Sequence, residues 1–297
     1  MQQNGIIQLM KGFTQLIRDA ASEWLNDNAA RLSAALAYYA LLSLTPLVLL
    51  ILILVGAVYG EQAASQQVAD QIRNFAGDEA GKAILALVRS FHRNQSTSAI
   101  LGTIVLLLSA SGIFGELKSS LNTIWGVVGK PGQSYTAIAL QRVVLFGVVI
   151  LAGLFVIAAV TVGAILSGIE NSVGQILPLP GFLLNLADWL ITLLITACLI
   201  GLIFRFLPDV KLRFGDVWAS ALGTAFLFTI GKALIGIYLG HSGVASAYGA
   251  AGSVIVVQLW VYYSACILFF GAEMAKVITC KRTGRILPRS NAIRTQE

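Results

Sequence analysis

The stretch Phe214–Glu273 reads FGDVWASALGTAFLFTIGKALIGIYLGHSGVASAYGAAGSVIVVQLWVYYSACILFFGAE, and its reading decides the fold. Between Asp216 and Glu273 it carries one formal charge, Lys232, and one histidine, His241. Two apolar runs, near 217–239 and 253–272, are each about 20 residues long, enough to cross ~30 Å of hydrocarbon as helices. The intervening Gly240–Gly252 is polar and rich in glycine, as a re-entry turn requires. A soluble core cannot easily absorb two unbroken apolar helices of this length. The stretch reads as a membrane hairpin, and the rest of the chain repeats its pattern.

Composition agrees. Of 297 residues, 57% are hydrophobic and 11% charged, with a mean hydropathy of +0.81; soluble domains carry roughly 25% charged residues. The net charge of +6 and pI near 9.3 would suggest nucleic acid in a soluble protein. In a membrane protein the same excess marks loops held in the cytoplasm, and no nucleic-acid partner is expected. Cys198 and Cys266 lie in apolar spans and Cys280 in the basic tail, so neither a disulfide framework nor metal-ligand spacing is visible. The first apolar run begins too late and runs too long for a signal-peptide core, so no cleaved signal is expected.

Residues 1–30 form an amphipathic segment. Ile6, Leu9, Met10, Phe13, Leu16, Ile17, Ala20 and Trp24 recur at helical spacing, with Lys11, Gln15, Arg18 and Asp19 opposite. Such a helix either lies in the headgroup layer with Trp24 as anchor or packs against the underside of the bundle. A transmembrane domain of six spans follows over 31–275, with spans near 32–59, 99–114, 143–168, 189–207, 217–239 and 253–272. A basic tail occupies 276–297. Pro46 removes one backbone hydrogen bond from the first span and predicts a kink there, either a plain bend or a hinge. The polar loop from Glu61 to Ser98 has apolar residues spaced for two short amphipathic helices, a helical cap rather than a disordered loop. Beyond Phe114 the second span turns one-sided: Phe114, Leu117, Leu121, Ile124 and Trp125 share one face, and Glu116, Lys118, Ser119 and Asn122 the other. This predicts a helix that leaves the membrane and continues to a stop at Lys130-Pro131-Gly132. The fold class is therefore all-α and polytopic.

Six spans put both termini on one side. Fifteen of the 20 Lys and Arg fall on that side, and five on the other when Lys232 is included, which predicts cytoplasmic termini. No internal repeat supports an inverted-repeat transporter.

Enzyme readings fail on inventory. His92 and His241 are far apart, no HExxH or Cys/His cluster exists, and neither a Walker lysine nor a G-x-S-x-G elbow is present. No cofactor and no metal site is predicted.

What remains is charge near or within the spans. Arg31, Glu116, Arg142, Arg205, Asp216 and Glu273 all fall at span ends on the predicted cytoplasmic side. They read either as ordinary interfacial anchors or as a polar layer gating a cavity that opens inward. Lys232 lies inside a span, where a lysine either snorkels to the interface or meets an anion in a cavity. Gly236 and Gly240 form a GxxxG beside it, which admits a helix or a lipid, so Lys232, Gly236 and Gly240 are candidate substrate or lipid contacts.

Four stretches carry a family resemblance: RLSAALAYYALLSLTPLVLLIL (31–52), GELKSSLNTIWGV (115–127), LRFGDVWASALGTAFLF (212–228) and YGAAGSVIVVQLWVYYSACILFFGAE (248–273). In order and spacing the chain resembles the YihY/virulence factor BrkB family of bacterial inner-membrane proteins, once mislabelled ribonuclease BN. The resemblance implies six transmembrane helices in a bacterial plasma membrane. For some members it also implies links to envelope integrity, virulence and suspected lipid transport. It carries over no functional residue.

The sequence therefore favours a transporter or flippase of an amphipathic, anionic lipid-like substrate, with membrane lipids as its partners. A non-transporting envelope scaffold or lipid-binding factor is the alternative, and a small-solute exporter the third reading. A lateral groove reaching Lys232 would favour lipid; a plugged interior would favour the scaffold.

Overall fold

The computed structural model describes residues 2–43, 60, 99–130, 147, 154, 161, 181–241 and 252–295. Pro46, Arg142, the capping loop and nearly all of the predicted third span lie outside these residues, as does the far end of the first span.

Helix α1, Gln2–Asn26, realises the amphipathic segment. It ends in a corner at Asp27 and Asn28, where Asn28 takes φ +51°, a left-handed conformation that asparagine tolerates better than most residues. The corner delivers the chain into α2, residues 29–43, whose buried face carries Ala29, Ser33, Leu36 and Ala40.

Helix α3, Ala99–Ile124, is continuous from the apolar run into its one-sided extension. Phe114, Leu117, Leu121 and Ile124, followed by Trp125, are all buried, and Ser119 is exposed, which is the pattern the periodicity predicts. The helix stops earlier than Lys130-Pro131-Gly132. Gly126, at φ +60°, turns the chain into a short strand, β1, Val127–Gly129.

Three further helices follow: α4, Gly181–Phe206; α5, Phe214–His241; and α6, Gly252–Thr283. Each contains a stretch long and apolar enough to cross a membrane, Trp189–Phe206, Phe214–Tyr238 and Val254–Thr283. These are the three candidate spans among the described residues. α5 packs between α4 and α6, and α1 packs along α6. The helices meet at glycines. A Cβ on Gly201 of α4 would lie 3.3 Å from the Trp218 ring of α5, and one on Gly231 of α5 would lie 2.7 Å from Tyr263 and Ile267 of α6. Close approach through small residues suits an apolar solvent, where dispersion rather than water exclusion holds helices together.

The α6 helix runs past the boundary set from composition at 272 and continues to Thr283. The chain then folds back, and strand β2, Ala292–Arg294, pairs antiparallel with β1 with Val128 opposite Ile293. The tail is thus built into the fold. The core gathers at this charged end, around Trp125, Phe204, Leu207 and Phe269. Toward the other end of α5, Leu234 and Ile237 are about 60% exposed, as a lipid-facing surface requires.

Candidate functional site

Two features on α1, α5 and α6 could receive a ligand. The first is an apolar groove of about 480 Å³, walled by Ala21 and Trp24 of α1, Ile230 and Leu234 of α5, and Tyr263 and Phe270 of α6. Its size falls in the range of small-ligand sites, roughly 300–1,000 Å³. The groove exists because α1 docks by one face only. Ala20 and Leu16 settle against Met274 and Val277 of α6, while Trp24 reaches across to the main core. Of the two placements the sequence left open for α1, packing on the bundle is the one observed for its C-terminal half. The Trp24 indole N–H is buried without a hydrogen-bond acceptor among the described residues.

The second feature lies one turn further along α6. Lys276 extends its ammonium between three carboxylates, at 2.7 Å from Glu23, 2.8 Å from Asp27 and 3.3 Å from Glu273. The three acids each bring an oxygen within 4.8 Å of the others, around a point the lysine already fills. Glu273 is 0% exposed, with Lys276 as its ion-pair partner and the Asp27 carboxyl group beside it. Glu23 and Asp27 keep part of their surface in contact with the surroundings. Two turns on, Lys281 pairs with Asp19 at 2.7 Å.

The predicted charge layer is distributed over separate partners. Asp216, in the first turn of α5, pairs with Arg282 at 2.6 Å, and Glu273 belongs to the lysine cluster. Arg205 lies 3.9 Å above the Phe214 ring and donates to the Leu212 carbonyl. Glu116 accepts from the Ser120 hydroxyl, and Arg31 is exposed. Arg142 lies outside the described residues, and no two of the other five pair with each other. Lys232 is exposed on α5. At 100° per residue it stands about 140° round the helix from Leu227 and about 160° from Leu234, both groove residues, so the groove passes its turn but not its face. Gly236 is exposed, with nothing near a would-be Cβ, and Gly240 follows at the end of the same helix.

Sequence reasoning missed the Lys276 cluster and the fold-back of the tail. Asp209 anchors the latter. Its carboxylate accepts from Asn291 at 2.9 Å, Asn122 at 3.0 Å and Lys118 at 3.0 Å, and its backbone N–H donates to the Asn122 side chain. Burial opposes ionisation here, but the hydrogen bonds from Asn291, Asn122 and Lys118 and the Lys118 charge outweigh it and hold the carboxyl below its usual range. Arg289 then donates to the carbonyls of Arg205, Phe206 and Val210, covering acceptors left open at the end of α4.

Residues 20–295 match the sequence profile of the family described as Virulence factor BrkB. The chain belongs to that family. Its curated relatives are UPF0761 membrane proteins: 20% identical over 92% of the chain in Psychrobacter sp., and 24% identical over 95% in Alcanivorax borkumensis. Another, in Cronobacter sakazakii, is 24% identical over 90% of the chain. The chain spans 50% and 63% of the first two relatives' length and 89% of the third's. No solved structure matches it. The family match covers α2 to β2 and the C-terminal part of α1, so the groove and the Lys276 cluster both fall within it.

Proposed function

We propose that this membrane protein handles an amphipathic lipid-like substrate, as a transporter or flippase rather than an enzyme. The observation that carries the reading is the groove between α1, α5 and α6. It is walled by apolar side chains, on helices that carry two of the candidate spans, and its width is set by a docked amphipathic helix. In a bilayer the groove is presented to acyl chains, and a helix docked by one face can part from α6 more easily than a spanning helix can.

The proposal places the chain in a bacterial inner membrane, crossing it six times with both termini cytoplasmic and serving envelope integrity. The charged end holding α1, Lys130 and Arg289 then faces the cytoplasm. Cysteines placed at Asp78 or Pro180 should react with an impermeant reagent from outside, and cysteines at Lys130 or Arg289 should not. Reaction at Arg289 overturns the orientation.

Native mass spectrometry of the gently extracted protein tests lipid handling directly. Lipid adducts should persist, and Ala21→Phe, which fills the groove, should deplete them. A protein that carries no lipid, or whose adducts ignore Ala21→Phe, overturns the reading. A scaffold remains the second reading, supported by the tail that locks α3, α4 and α6 together at one end. A small-solute exporter has less support, because the groove walls offer few polar groups.

A further inference from the structure

The turn between α4 and α5 and the fold-back of the tail form one surface. Only residues 207–213 join the candidate spans Trp189–Phe206 and Phe214–Tyr238, which sets this turn at the membrane boundary. The tail is fastened to it. Val210 bridges Pro288, the Lys211 N–H donates to the Leu287 carbonyl at 2.9 Å, and Asp209 holds Asn291. The β1–β2 ribbon is therefore held at headgroup depth, and its two faces differ. Val127 and Ala292 are buried, while Val128 and Ile293, cross-strand partners and hence on one face, are exposed. Lys130 continues that face two residues beyond Val128, and its N–H extends the ladder to the Asn291 carbonyl. Leu287, beside the turn, is exposed as well. Charge on this surface has one sign. Residues 126–130, 205–213 and 284–295 contain a single acid, Asp209, which is buried and taken by Asn122, Asn291 and Lys118. Lys130, Lys211, Arg213, Arg285 and Arg294 are exposed and make no ion pair among the described residues.

We propose that this surface docks on anionic phospholipid headgroups of its own leaflet, its five cations meeting the phosphates and Val128, Leu287 and Ile293 entering the boundary between headgroups and acyl chains. The attraction of an anionic leaflet falls off within a Debye length, roughly 8 Å at physiological salt, so depth decides whether a basic group feels it. A ribbon fastened to a turn between two spans lies inside that range. An acidic protein could answer the cations, but at headgroup depth it would have to displace lipid to reach the exposed aliphatic side chains. The three arginines among the other cations' company add a planar fork that meets phosphate oxygens in pairs. The surface is separate from the groove between α1, α5 and α6 and does not depend on it. It requires only that α4 and α5 cross the bilayer.

The test is competition in native mass spectrometry on the full chain, with phosphatidylglycerol and phosphatidylcholine of identical acyl composition. Wild type should retain phosphatidylglycerol over phosphatidylcholine by about fivefold, the ratio that one basic residue near an anionic surface contributes. Lys130→Gln, Lys211→Gln and Arg213→Gln combined should remove most of that preference, while Lys130→Arg combined with Lys211→Arg should keep it. Ala21→Phe, which fills the groove, should leave the preference unchanged, so failure of the groove reading and failure of this one are told apart. Equal retention of the two lipids in wild type overturns the proposal, and so does a preference that survives the triple substitution. A preference lost in Ala21→Phe puts the anionic lipid in the groove and overturns it too. A polyglutamate peptide that binds wild type, and is not displaced by phosphatidylglycerol, makes the partner an acidic protein instead. The first comparison needs only the wild-type protein, so a variant that fails to fold does not remove the test.

Discussion

Gly271 of α6 lies directly against Thr224 of α5, with no room between them for a Cβ. Thr224 is itself fixed, since its hydroxyl donates to the Ser220 carbonyl at 2.6 Å and the side chain is fully buried. Gly271→Ala must therefore push the two helices apart rather than displace a flexible side chain. Overpacking of this kind costs about 1–3 kcal/mol. The variant should melt several degrees lower in detergent, and adding Thr224→Ala, which removes two of the three crowding atoms, should restore part of the loss. A Gly271→Ala protein as stable as wild type would show that α5 and α6 do not meet here.

Arg289 fastens the tail to the end of α4, and its planar guanidinium donates in three directions at once, to the carbonyls of Arg205, Phe206 and Val210. A lysine has the charge but not the fork. Arg289→Lys and Arg289→Ala should both expose the segment after Thr283 to limited proteolysis at protease levels that leave wild type intact. If Arg289→Lys protects the segment fully, charge alone holds the tail.

Asp209 makes the same clasp sensitive to acid. Its folded pKa lies below that of an ordinary aspartate, about 3.9. Its stabilising contribution is therefore complete above that value and is lost as pH falls through the lower, folded pKa. Asp209→Asn should cost about 1.5–3 kcal/mol at neutral pH, the worth of hydrogen bonds to a buried charge. The gap between wild type and variant should narrow progressively as pH falls below about 3.9, and close once Asp209 is protonated in the folded protein. A gap that does not narrow at all below that pH would locate the loss in shape rather than charge.

What the sequence revealed followed periodicity. The buried face of α3 from Phe114 to Trp125 could be read because one helix repeats its pattern every three to four residues, and only one side of that helix packs. The hairpin of α5 and α6 could be read because apolar length is itself the signal. The Lys276 cluster could not. Lys276 and Asp27 are 249 positions apart, and each alone resembles a solvated helix charge. The fold-back was hidden in the same way, since Arg289 and Asn291 meet partners more than 80 residues earlier. The one local hint was an acid placed directly after Pro208, at the close of an apolar span. The Gly236–Gly240 pair was the visible small-residue motif, yet Gly231 is the glycine buried against α6. Spacing alone does not say which face of a helix will be covered.

Lys232 gives the sharpest test of how α5 is oriented. It is exposed on the side of the helix away from the groove, although its neighbour Gly231 lines that groove. A lysine near mid-depth costs about 2.5–3.5 kcal/mol on insertion scales, and less near the interface, where its stem lets the ammonium snorkel. Replacing it with methionine keeps the apolar stem and removes the charge. Lys232→Met should therefore be neutral or stabilising, and the lipid bound in the groove should be unchanged; Lys232→Arg should behave the same way. Lipid retention and thermal stability of the three proteins in one detergent decide the matter. Loss of lipid in Lys232→Met with retention in Lys232→Arg would put the headgroup at Lys232 and turn the binding face of α5 by nearly half a turn.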